Sequence, residues 1–172
     1  MASLFAYVSG ASFVYQDQYG IYQQELALLF SAGAIALIGA SQVNVRLLDR
    51  WTPQQITKWA LVAAVVSGAV VIAVAVLELG GLAGFVIALW VMAGAIGFVL
   101  PNAPALALAR HGEAAGTAAA MLGAFQFGVG AAIAPAVGLL GNTSTALAVT
   151  MTACVSLGLI ALLATTRKSE SV

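Results

Sequence analysis

Charged residues punctuate this chain at wide intervals, and the apolar runs between them predict its elements. Residues 1–16 carry no charge, and neither do residues 26–45. Residues 59–77, WALVAAVVSGAVVIAVAVL, are apolar on every side and close to the roughly 20 residues a helix needs to cross a bilayer. Residues 79–109 are too many for one span, and Pro101, Asn102 and Pro104 are expected to end that helix near its foot. Residues 114–166 must form two spans, because a single helix would be about 80 Å long at about 1.5 Å per residue. The break is predicted at GNTST, residues 141–145, whose Gly and hydroxyl side chains suit a tight turn. Six spans result, over approximately 1–16, 25–45, 58–78, 81–101, 114–140 and 144–166, followed by a tail over 167–172. All should be helices, since a β-barrel needs strands of alternating polarity. The chain is therefore predicted to be an all-α integral membrane protein, with residues 1–172 forming one six-helix domain.

Composition names the solvent. The chain is 62% hydrophobic and 7% charged, with a mean hydropathy of +1.04, whereas soluble domains carry about 25% charged residues. Too few polar groups exist to cover a water-facing surface, so lipid takes that role. The formal net charge is zero, which removes any global electrostatic footprint for nucleic acid. The single cysteine, Cys154, lies in an apolar run, excludes an intramolecular disulfide and reads as inert packing.

The basic residues orient the spans. Arg46, Arg50 and Lys58 fall between spans two and three, Arg110 between four and five, and Arg167 with Lys168 after six. The other connections contain no Lys or Arg. The positive-inside rule then puts both termini and all six basic residues on the cytoplasmic side of an inner (plasma) membrane. Trp51 and Trp59 flank that boundary, where indole rings tend to sit. The short knot of Arg110, His111 and Glu113 is expected to be a solvated, orienting turn. The first run lacks the basic leader of a secretory signal, and the chain reads as a piece of something larger.

Several segments carry a resemblance. ASLFAYVSGASFVYQDQYG, then GASQVNVRLLDR, then PNAPALAL followed by AGTAAAMLGAFQFGVGA resemble the carboxyl-terminal half of the bicyclomycin-resistance (Bcr/CflA) drug transporters of the major facilitator superfamily. The resemblance implies helices seven to twelve of twelve, one half of a fold built as a 3+3 inverted repeat, with an amino-terminal six-helix half as partner. It implies export of small lipophilic drug-like substrates, by proton antiport and rocking of two halves about a central site. Two patterns accompany it. Gly39, Asn44, Arg46, Asp49 and Arg50 are expected to form a cytoplasmic loop motif whose charges pair across helix ends; the other reading is that Arg46 and Arg50 merely orient the chain. GAAIAPAVG, residues 130–138, is similar to an antiporter motif, with Ala134 and Leu139 in place of glycines. Close helix packing at Gly130 and Gly138, with a kink at Pro135, is the competing account.

The resemblance sets spans one, two, four and five around a cavity. Gln126 is the amide nearest the middle of span five, and an unpaired amide in hydrocarbon is costly. It faces either a cavity or a neighbouring helix, with Gly130 one turn on expected to clear space beneath it. Trp90 on span four is expected to supply the opposite wall, and Phe5 and Tyr7 on span one add aromatic surface suited to lipophilic or cationic drugs. Asn102, beside Pro101, reads as a helix end.

Asp17, Glu25 and Glu78 all fall at the outer ends of spans, so no ionisable group is expected at mid-membrane for a proton relay. A titrating residue would then belong to the other half. His111 is the single histidine and has no partners for a metal site. LGGLAG lacks the Lys-Ser/Thr of a phosphate loop, and no nucleophile-base set can be assembled. Neither an enzyme nor a cofactor is expected. A rival to transport stays open: a non-transporting, truncated or self-associating six-helix membrane protein.

Overall fold

A computed structural model describes residues 1–109 and 114–170, with side chains up to Thr165. Arg110, His111 and Glu113 lie outside the described residues, as do the side chains of Arg167 and Lys168. The elements are α1 (Ala2–Phe13), extended by a π-helical turn (Val14–Gln18), then α2 (Gln23–Leu47), α3 (Pro53–Val76) and α4 (Gly81–Leu108). They continue with α5 (Ala115–Ile133), a short α6 (Ala136–Leu139) and α7 (Ser144–Glu170). No strand occurs among the described residues. Five segments are long and apolar enough to cross a membrane: α2, α3, α4, Ala115–Leu139 and Ser144–Thr165. The protein is an all-α, multi-pass membrane protein.

Local signals set the helix ends. Thr52 caps α3, accepting from Gln55 N at 3.3 Å while Gln55 Oε1 accepts from Thr52 N at 3.1 Å, with Pro53 in the first turn. Gln18, at the end of the π turn, caps α7 from across the bundle. Its Oε1 accepts from Ser144 N at 2.7 Å and its Nε2 donates to Ser144 Oγ at 3.1 Å. Gly141 and Asn142 turn the chain into α7 with φ of 99° and 52°.

Two expectations about helix ends are corrected. Pro101 and Pro104 lie inside α4, which runs on to Leu108. Pro101 has no N–H for the Gly97 carbonyl, but Ser41 Oγ of α2 donates to that oxygen at 3.1 Å. Asn102 Nδ2 likewise donates to Phe98 O at 2.8 Å. Ser41 on the neighbouring helix thus satisfies the carbonyl that Pro101 leaves open, and the helix survives. The predicted tail also begins inside a helix, since α7 continues to Glu170.

The helices form two interlocked triplets, α1–α3 and α4–α7, the short α6 continuing α5 past Pro135. The first helix of each packs against the later helices of the other: α1 on α5 and α7, α4 on α2 and α3. The two third helices, α3 and α7, meet. This reciprocal exchange is the packing of a 3+3 repeat. Gly97 shows how tight it is, for a Cβ there would come within 2.6 Å of Leu37 O on α2. Tyr15, Phe85, Leu89, Met92, Leu147 and Met151 fill the centre. Burial is uneven: 44% of the apolar window in α4 is buried, against 11% in α2 and in Ala115–Leu139. One broad side of α2 and of α5 has no partner within the described bundle.

Candidate substrate cavity

The buried positions of α1 recur at Ser3, Ala6, Tyr7, Gly10 and Ala11, one helical face. The wider π turn carries Tyr15 into the same interior. Both tyrosines approach Phe30 of α2, with centroids 5.4 Å away for Tyr7 and 6.2 Å for Tyr15. Trp90 of α4 closes the group. Gly33 of α2 makes room for it: a Cβ there would stand 2.8 Å from Tyr7 Oη and 3.3 Å from Trp90 Nε1. Tyr7 Oη and Tyr15 Oη are buried close enough to interact with each other, and Trp90 Nε1 is buried without a hydrogen-bond partner. Buried polar atoms are normally paired, because leaving one unmade costs about 1–3 kcal/mol. Three polar atoms gathered in one aromatic cluster, with no partner outside it, set this part of the interior apart. No acidic or basic residue is buried among the described residues, so this interior is polar without being charged.

Gln126 belongs to a different place. It is partly exposed and lines a crevice of about 270 Å³ between α1, α4 and α5, with Leu4, Val99, Leu100 and Pro104. Trp90 lies about 13–21 Å from these α4 residues along the helix at about 1.5 Å per residue. The expected pairing of Gln126 with Trp90 across one cavity is therefore corrected: Trp90 faces Tyr7 and Gly33 instead. The expected gap at Gly130 is corrected as well. The Phe5 ring occupies it, such that a Cβ on Gly130 would come within 2.5 Å of Phe5 Cδ2. Phe5 also meets Phe127 edge-on at 5.7 Å. Pro135 separates α5 from α6, and Val137, which follows, packs against Gly10 of α1. Ser9 Oγ donates to Ala134 O at 3.1 Å across the bend. Gly138 lies in α6 beyond it.

The proposed loop motif is mostly helical. Gly39, Asn44 and Arg46 lie within α2, and only Asp49 and Arg50 fall in the turn before α3. The apolar pattern continues on both sides of Arg46, with Val43 and Val45 before it and Leu47 and Leu48 after it. Asn44 is buried and accepts from Asn102 Nδ2 at 2.6 Å, whereas Arg46, Asp49 and Arg50 are exposed. Asn102 is thus a tether between α2 and α4 rather than a helix end. Sequence reasoning missed Tyr15, Phe30 and Gly33 as well. An aromatic residue in an apolar run carries no mark of what it faces.

Comparison with known proteins now bears on this architecture. The chain is 31% identical over 164 residues to an uncharacterized MFS-type transporter, YdgK, of Bacillus subtilis. It is 31% identical over 166 residues to a bicyclomycin resistance protein homolog of Haemophilus influenzae.

This chain is a homologue of MFS-type transporters.

The matches cover 95% and 92% of the chain but only 40% of each relative, a share consistent with a carboxyl-terminal half. No family profile matches the chain, and no solved structure matches it. The similarity to MFS-type transporters agrees with the interlocked triplets.

Proposed function

We propose that this chain is the carboxyl-terminal half of an MFS exporter of small lipophilic drugs. It sits in the plasma membrane with both termini cytoplasmic and works with an amino-terminal six-helix half. The observation that carries this reading is the buried cluster of Tyr7, Tyr15 and Trp90 against Phe30 and Gly33 of α2, whose three polar atoms have no partner outside the cluster. Aromatic walls bind apolar drug bodies, while two hydroxyls and one N–H orient a polar group on the substrate. Phe5 and Gln126 would line the cytoplasmic approach, alongside α4 at Val99 to Pro104. Proton antiport would draw its titrating group from the other half, since intramembrane proton relays use ionisable side chains and none is buried among the described residues.

The test is co-expression of this chain with the amino-terminal half of the Haemophilus influenzae relative. Dye or drug accumulation in cells should fall only when both halves are present. Equal export by the chain alone would defeat its assignment as a half. No export by the pair, with both halves inserted and associated, would defeat transport and favour a self-associating membrane protein.

A further inference from the structure

The outer side of α3 and α4 carries a long apolar groove that the transport reading does not use. One end is a hollow of about 330 Å³ walled by Leu47, Trp51, Trp59 and Phe98. Through Trp59 and Ala63 it continues into a trough of about 670 Å³ that runs between the two helices to Val74. From Trp59 to Val74 the trough is about 22 Å long at about 1.5 Å per residue, enough for one leaflet of a hydrocarbon core about 30 Å thick. Its walls are unpartnered in the bundle: Trp59 is 60% exposed and Val91 is 61% exposed. Ser67 is the hydroxyl in its lining, and its Oγ already donates to Ala64 O of its own helix at 3.1 Å. The trough therefore offers packing without directional polar recognition.

Charge gives the groove a direction. Each of three exposed basic residues immediately precedes or follows a wall residue in the chain: Arg46 beside Leu47, Arg50 beside Trp51, and Lys58 beside Trp59. Asp49 is the one acid in the same turn. At the far end the α3–α4 turn carries exposed Glu78. An occupant with an apolar tail and an anionic head matches this polarity in one orientation, head toward the tryptophans. Basic pockets beside transmembrane helices hold anionic lipid headgroups in this way, and indole rings mark headgroup depth.

We infer that the α3–α4 groove is a binding site for an anionic glycerophospholipid, with an acyl chain along Val66, Val70 and Val91 and the phosphate among Arg46, Arg50 and Lys58. The inference stands apart from transport and from which compartment faces this end of the bundle.

Tryptophan fluorescence tests it, because the chain has 3 tryptophans and two of them line the groove. In a Trp90→Phe background, the chain is placed in phosphatidylcholine nanodiscs containing a minor fraction of brominated lipid. Brominated phosphatidylglycerol should quench Trp51 and Trp59 several-fold more than brominated phosphatidylcholine. Replacing Arg46, Arg50 and Lys58 together by Gln should abolish that preference. These side chains are exposed, so the helical circular dichroism should not change and serves as the control for folding. Soluble glycerol phosphate should not displace the lipid. Equal quenching by the two lipids would overturn the site, and so would a preference that survives the triple substitution in folded protein. Full displacement by glycerol phosphate would overturn the role of the trough.

Discussion

Asn102 Nδ2 donates to Asn44 Oδ1 across 2.6 Å, and each of these side chains is 2% exposed. The bond joins α4 to α2 one residue past Pro101, where the α4 ladder has lost a donor. Ser41 reaches Gly97 O from the same side of α2. Two polar side chains thus hold together a stretch that proline would otherwise open.

Breaking this pair on one side should therefore cost more than removing both partners. Asn102→Leu leaves Asn44 unpaired in an apolar setting and should destabilise the bundle by about 1–2 kcal/mol. The double variant Asn44→Leu with Asn102→Leu should recover much of that loss. Unfolding by SDS in mixed micelles, followed by helical circular dichroism, measures both. Equal losses in the single and double variants would show that the bond has no such role.

Gly130 is expected to tolerate no larger side chain while Phe5 stays in place. Gly130→Val drives a branched Cβ into the Phe5 ring and should cost about 1–3 kcal/mol by overpacking. Phe5→Ala in the same chain should restore part of it. The SDS assay applies again, and additive losses would refute the contact.

Tyr7→Phe separates packing from recognition. The ring and its contact with Phe30 remain, and one buried hydroxyl is removed, so membrane abundance should stay near normal. In the assembled transporter, resistance to several unrelated drugs should shift unequally. Gln126→Ala should alter the profile through the crevice at α4 with near-normal abundance. For either variant, a uniform fall in resistance that tracks abundance would remove that residue from the cavity.

Orientation is checked by reporter fusions. Fusions after Gln18, Arg50, Gly80, His111, Asn142 and Ser171 should alternate between periplasm and cytoplasm, beginning outside. A periplasmic signal at Arg50 or at Ser171 would reverse the proposed topology.

Much of the helical architecture was legible in the chain because membrane insertion is a one-dimensional constraint. A run such as residues 59–77 must satisfy its own backbone in lipid, and only a helix does so within the run. The turn at Gly141 and Asn142 and the cap at Thr52 are local for the same reason, since each depends on a few adjacent residues.

What only the tertiary structure decided is everything that depends on a second helix. Pro101 reads as a stop because the sequence around it cannot show that Ser41, far away in the chain, would supply the missing hydrogen bond. Gln126 and Trp90 both read as interior residues, but their axial separation follows from the packing of α5 beside the carboxyl-terminal half of α4. Gly130 reads as empty space until Phe5 from another helix fills it. Asn44 reads as part of a charged loop, yet it turns inward because its partner, Asn102, is buried opposite. In lipid, hydrophobicity places a helix in the membrane but hardly distinguishes its faces. The register between helices is left to close steric contacts and the few polar pairs, which no single run of sequence contains.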